Sequence, residues 1–167
     1  MGDQLHGKCT IEGASHLVKL LIVDDQKGIR RLLTEVFSEY GYEIESYSNG
    51  IKALEIIPVF KPDLVIMDVK MPGMNGIDVL KKLREADQDV QVIMMTAYGD
   101  QQYVSQAEEL GVAGFIIKPF DLDELKRQVG EILKDKNFLA PADGYSSWQP
   151  GRKDFTAGPH FGGPVFI

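Results

Sequence analysis

Five polar side chains stand at the carboxyl ends of apolar runs. Asp24 and Asp25 follow Leu20–Val23, Asp68 follows Leu64–Met67, Thr96 follows Val92–Met95, and Lys118 follows Gly114–Ile117. Carboxylates are ligands for hard divalent cations such as Mg²⁺, while a hydroxyl and an ammonium suit the oxygens of a phosphoryl group. Three carboxylates in one place would repel one another and raise their pKa values. A bound divalent cation removes that conflict and leaves Asp68 ionised, able to attack phosphorus. Each residue has a plainer reading on its own. An aspartate can cap the helix after it, Asp68 can be a turn residue, Thr96 is a good strand residue, and a lone lysine is usually solvated. Tandem aspartates after a wholly apolar strand exceed what capping needs, and a charge emerging from a buried strand is costly unless paired or bound to a metal.

The elements that must position these groups follow from periodicity. Short aliphatic and β-branched runs occur at Leu17–Val23, Glu43–Ser48, Leu64–Met67, Val90–Met95 and Ala113–Ile117. Between them lie helical patterns. In the first, Ile29, Leu32, Leu33, Val36, Phe37 and Tyr40 recur at three- and four-residue steps. Others run over Ile51–Phe60, Ile77–Leu83, Tyr103–Leu110 and Leu122–Leu133, with Gly41, Gly50, Gly73, Gly99 and Gly111 marking turns and Asp121 placed to cap the last helix. Five β-α units with right-handed crossovers predict an α/β fold, a parallel sheet with helices on both faces. The runs ending at Val23, Met67 and Met95 are apolar throughout, as central strands buried on both sides should be. Glu43–Tyr47 alternates, which suits an edge strand. Strand carboxyl ends in such a sheet share one crevice, where ligands bind.

The 167 residues carry a net charge of −7, which disfavours non-specific attraction to nucleic acid or anionic membrane. No run approaches the roughly 20 apolar residues of a membrane span. The N-terminus lacks the pattern of a secretory signal, and the lone Cys9 excludes an intramolecular disulfide, so a cytoplasmic protein is expected. His6, His16 and His160 all lie near the ends, away from the predicted core. Residues 1–16 read as a flexible N-terminal extension, 17–137 as one domain, and 138–167 as a flexible C-terminal tail. The tail has five Gly, four Pro and six aromatic residues but no period.

Asp24, Asp25, Asp68, Thr96 and Lys118, taken together at these positions, resemble the site of bacterial two-component response-regulator receiver domains, over about residues 18–136. Within that family, LIVDDQKGIRRLLTEVF, VKMPGMNGIDVLK, MTAYGD and KPFDLDEL are similar to the single-domain regulators that relay phosphoryl groups in sporulation. The resemblance implies a flavodoxin-like five-stranded sheet of order 2-1-3-4-5. It implies that Asp68 accepts a phosphoryl group from a sensor histidine kinase. Asp25, Asp68 and the backbone carbonyl of Lys70 would hold Mg²⁺ (Mn²⁺ as a substitute), with Asp24 acting through a metal-bound water. Thr96 and Lys118 would contact the transferred group, and Thr96 with Phe115 would form the switch. Gln26, Gly28, Ile29, Leu32, Pro119 and Phe120 would meet a histidine phosphotransferase. Of these, Leu32 is the better core candidate and Ile29 the better docking candidate. Two residues depart from the commonest receiver pattern: Lys70 stands where many receivers have Asn, and Phe115 lacks the hydroxyl of a switch tyrosine.

The function so implied is a stand-alone relay. It takes a phosphoryl group onto Asp68 and passes it to a downstream phosphotransferase, as in sporulation initiation, with an aspartyl-phosphate phosphatase as a further partner. It would be a monomer that contacts neither nucleic acid nor membrane and turns over no external small molecule. Two alternatives stay open: a phosphorylation-controlled binding switch of the chemotaxis type exposing Tyr98–Tyr103, and a receiver separated from a DNA-binding output domain. A phosphatase of the haloacid-dehalogenase type would show D-x-D after the first strand, where this chain has Asp24-Asp25-Gln26. No G-x-x-x-x-G-K-[ST] phosphate loop is present.

Overall fold

The computed structural model describes residues 17–134 apart from Asp87. Five strands alternate with five helices: β1 (Lys19–Val23), α1 (Lys27–Ser38), β2 (Glu43–Tyr47), α2 (Gly50–Phe60), β3 (Leu64–Asp68), α3 (Gly76–Glu85), β4 (Gln91–Ala97), α4 (Gln101–Glu109), β5 (Gly114–Lys118) and α5 (Leu122–Leu133). The strands form one parallel sheet in the order β2-β1-β3-β4-β5, as expected. The termini expected to be flexible, with Cys9 and the three histidines, lie outside the described residues.

The wholly apolar strands are central because both their faces are covered. Alternate residues feed two cores. Leu21, Val23, Val65, Met67, Val92 and Met94 pack with Ala53, Ile57, Leu80, Leu83 and Ala107 of α2, α3 and α4. Leu20, Ile22, Leu64, Ile66, Ile93 and Met95 pack with Leu33, Phe37, Leu125 and Val129 of α1 and α5. Burying one such aliphatic side chain stabilises the fold by roughly 1.5–3 kcal/mol, so neither face can be given up. β2 lies at the edge and is only half-buried or exposed along its length, in keeping with its alternating sequence.

Local chemistry fixes the helix ends. Asn49 and Asn75 cap α2 and α3, accepting from Lys52 N–H at 2.9 Å and Asp78 N–H at 2.8 Å. Asp121 caps α5 as predicted, accepting from the N–H groups of Asp123 and Glu124. Gly50 differs from its expected turn role. It is the first residue of α2, and a side chain there would run into Val79 Cγ2. Its small size serves the α2–α3 contact, not a turn.

α1 also corrects the sequence reading. Leu33 and Phe37 are fully buried, while Leu32 is 41 % exposed and Ile29 is half-buried against the α1–α5 core. The apolar stripe is centred one position later than expected, which places Leu32 on its solvent flank.

Candidate functional site

The strand order brings the predicted residues together. Asp24 directly follows β1, Asp68 ends β3, Thr96 lies in β4 and Lys118 ends β5. These are four neighbouring strands, and Asp68 is paired with Met95, the residue before Thr96. Asp24 has no exposed surface, Asp68 has 6 % and Thr96 has 3 %. Asp25 is exposed at the mouth. Asp24, Asp25 and Asp68 each offer a carboxylate oxygen within 4.8 Å of the others.

Lys118 bridges two of the three. Its Nζ donates to Asp24 Oδ2 at 2.7 Å and lies 3.1 Å from Asp68 Oδ1. The carboxylates are therefore partly compensated within the protein. The Lys118–Pro119 peptide is cis. The carboxyl of Asp68 is held above its ordinary pKa chiefly by burial, with Asp24 and Asp25 adding to the shift and Lys118 opposing it. A hard cation meeting that oxygen set would both solvate the buried carboxylate and relieve the repulsion from Asp24 and Asp25, so the donor chemistry fits a divalent metal.

Helix capping does not account for the tandem aspartates. The N-cap of α1 is Gln26, whose side chain makes no cap bond. Asp24 Oδ1 instead accepts from Gln26 N–H at 2.7 Å, leaving Oδ2 for Lys118. The turn is clamped from outside by Arg30, whose Nη1 donates to the carbonyls of Asp24 at 2.7 Å and Asp25 at 3.0 Å. Close packing sets the backbone beneath Asp68. Val69 N–H donates to Met95 O at 2.8 Å, and Gly76 N–H to Val69 O at 2.8 Å. A side chain at Gly76 would collide with the carbonyl oxygen of Asp68 and approach Met94 Cε to 2.8 Å, so the start of α3 admits only glycine without rearrangement.

Thr96 and Lys70 sit beside the aspartates but are engaged elsewhere. The Thr96 hydroxyl donates to Asp100 Oδ2 at 3.3 Å, with Ala97 O a second acceptor at 3.4 Å. Lys70 Nζ, on a largely exposed side chain, pairs with Asp100 Oδ1 at 2.7 Å. This pairing holds the Asp100 carboxyl below its usual range and raises the Lys70 ammonium. Phe115 is half-buried among the residues under α2, α3 and α4. Gln26, Gly28, Leu32 and Pro119 are exposed, and Phe120 is half-buried beside Ile29 in the other core. A side chain at Gly28 would meet nothing within 4 Å. Arg30 and Asp100 were missed by sequence reasoning. Arg30 lies six residues after Asp24, on the turn of α1 that faces back towards the loop, a spacing that carries a weak signal. Asp100 reads locally as a cap.

A family model described as "Response regulator receiver domain" matches residues 20–130. Sporulation initiation phosphotransferase F of Bacillus subtilis is 46% identical over 119 residues, covering 71% of this chain and 96% of that protein. Chemotaxis protein CheY of Thermotoga maritima is 36% identical over 117 residues, covering 70% and 98%. Regulatory protein AtoC of Escherichia coli is 40% identical over 116 residues, but only 25% of its length is covered. Among solved structures, the Francisella response regulator 1452 receiver domain is similar with a TM-score of 0.65 at 30% identity, covering 70% of this chain and 97% of that one.

Proposed function

The chain belongs to the response regulator receiver domain family, and we propose that it serves as a stand-alone phosphorelay intermediate with Asp68 as the phosphoryl acceptor. One observation carries this reading: Asp68, raised in pKa by burial and two neighbouring carboxylates, has a lysine ammonium 3.1 Å away. Similarity along nearly the whole of a sporulation phosphotransferase supports the relay role. In the forward step a carboxylate oxygen of Asp68 forms a bond to phosphorus as the P–N bond of a kinase phosphohistidine breaks, and the electron pair leaves with the imidazole. The return step reverses this onto a histidine of a downstream phosphotransferase, with sporulation initiation as the setting. A phosphatase acting on the aspartyl phosphate would drain the relay.

Asp25, Asp68 and the carbonyl of Lys70 would hold Mg²⁺ or Mn²⁺, with Asp24 contributing through water. The ion would supply charge neutralisation at the phosphoryl oxygens. Lys118 does the same from the other side. It also pairs with the buried carboxylate of Asp24, which orients the turn that carries Asp25. Thr96 would donate its hydroxyl to the transferred group, and Phe115 would repack with it. Gln26, Gly28, Ile29, Leu32, Pro119 and Phe120 would form the docking face for the histidine-bearing bundle; the exposure of Leu32 and the open space over Gly28 support that use. The domain is taken as residues 17–137, acting as a cytoplasmic monomer.

The test follows labelled phosphate from a histidine kinase through this protein to a phosphotransferase and back. Label should move reversibly and vanish in Asp68→Ala. Label that reaches the protein but never leaves for a histidine would reject the relay and favour a binding switch. That second reading draws support from Tyr98, 87 % exposed just after β4, and from similarity to chemotaxis protein CheY.

A further inference from the structure

Asp100 occupies the N-cap position of α4, yet its side chain makes no cap bond and its backbone, at φ −87° and ψ 32°, is not extended as caps usually are. The carboxylate is folded back towards the end of β4. Oδ2 accepts from Ala97 N–H at 3.2 Å and from the Thr96 hydroxyl at 3.3 Å, while Oδ1 takes the ammonium of Lys70 at 2.7 Å. Its side chain is only 10 % exposed. One carboxylate thus holds donors from the β3–α3 loop and from the end of β4, which flank Asp68: Lys70 lies two residues after it, and Thr96 lies one residue beyond its partner on the neighbouring strand.

We propose that Asp100 is a positioning residue that competes with the phosphoryl group for these donors, and that its release couples phosphorylation of Asp68 to the first turn of α4. This rests on the reading of Asp68 as the acceptor. The competition for Thr96 is strict, because a hydroxyl carries one proton and cannot donate to Asp100 and to a phosphoryl oxygen together. For Lys70 it is graded, since an ammonium has three donors but one stem. A dianionic group on Asp68 draws both donors by charge. Asp100, deprived of them, keeps only the Ala97 N–H of its three side-chain donors, which loosens the side chain's hold at the start of α4, beginning at the next residue. The acidic side chain then sets how far the free protein lies from its phosphorylated arrangement. It also sets how exposed Tyr98, two residues before it, is presented.

Beryllofluoride with Mg²⁺, which mimics a phosphoryl group on a carboxylate, supplies the probe. Asp100→Asn keeps the shape but removes the charge, and it should bind beryllofluoride about five- to tenfold more tightly, the worth of one charge-assisted contact released. The Ala97 amide resonance of the free variant should move towards its position in the beryllofluoride-bound parent protein. The gain should shrink when Thr96→Ala is already present, because the contested hydroxyl is gone. An unchanged affinity, or an equal gain without Thr96, overturns the proposal. So does a weaker affinity accompanied by a lower Tm, which would make Asp100 a helix cap and nothing more. A parent protein that fails to bind beryllofluoride at all, or binds it equally after Asp68→Ala, overturns the acceptor reading itself.

Discussion

Replacing Asp68 by Asn should stabilise the metal-free protein. Carboxylate oxygens within 4.8 Å repel by about 3 kcal/mol per pair at an effective dielectric near 20. The term from Asp25 is smaller, because that residue is exposed and screened. Lys118 at 3.1 Å returns about 5 kcal/mol on the same scale. The neighbouring charges come close to cancelling, and what remains is burial, the leading cause of the raised pKa. Leaving a buried polar group imperfectly solvated costs about 1–3 kcal/mol and a charged one more, so Asp68→Asn, which keeps a polar group but removes the charge, should gain about 1–2 kcal/mol, several degrees in Tm. The pH dependence follows in sign. With its folded pKa above the unfolded value of about 3.9, Asp68 favours the folded state fully below that value, and the benefit is lost as pH rises through the folded pKa. Urea unfolding in EDTA over a pH series measures this, and the difference between parent and variant isolates Asp68. Added Mg²⁺ at 100 times its Kd should restore about 2.7 kcal/mol to the parent and less to the variant. A variant no more stable than the parent without metal, or an equal gain from Mg²⁺ in both, would refute the reasoning.

Four further perturbations separate structure from function. Lys118→Ala strands Asp24, which is fully buried, so stability should fall by about 3–5 kcal/mol; adding Asp24→Asn should recover most of it in chemical denaturation. Gly76→Ala drives a methyl group into the Asp68 carbonyl, so thermal melting should report a loss of about 1–3 kcal/mol together with slower labelling of Asp68. Leu32→Ala should leave stability within about 0.5 kcal/mol yet weaken titrated phosphotransferase binding about tenfold, as loss of an interface anchor does. Ile29→Ala, half-buried in the core, should cost both.

The central strands were legible because β1, β3 and β4 are covered on both sides and need no alternation to declare themselves, while β2 alternates because one edge strand escapes full burial. The polar residues at strand ends were legible for a related reason. A charge after a buried run has few ordinary explanations. Leu32 was not legible. Ile29, Leu32, Leu33, Val36 and Phe37 form a stripe wider than the core can accept, and only the tertiary contact picks Leu33 and Phe37 as its centre. Asp100 was hidden for another reason. Its partner Lys70 lies thirty residues earlier, and a local pattern of Asp before a helix predicts a cap whatever the side chain does in three dimensions.

Charge counting at the site argues for a divalent ion over a monovalent one. Three carboxylates and one ammonium leave two negative charges at the carboxylate cluster; Lys70 does not reduce that sum because Asp100 holds it at 2.7 Å, and Arg30 is spent on the backbone carbonyls of Asp24 and Asp25. Lys118 lies closer to Asp24 than to Asp68, as the complete burial of Asp24 demands. The deficit therefore falls on Asp68 and Asp25, the pair open to a ligand. A monovalent cation would cancel half of it and leave one carboxylate charge uncompensated. K⁺ at matched ionic strength should accordingly raise Tm far less than millimolar Mg²⁺ in the parent protein, and the difference should collapse in Asp68→Asn. Equal stabilisation by the two salts would mean that the carboxylates feel only general screening, and that the cluster holds no specific ion.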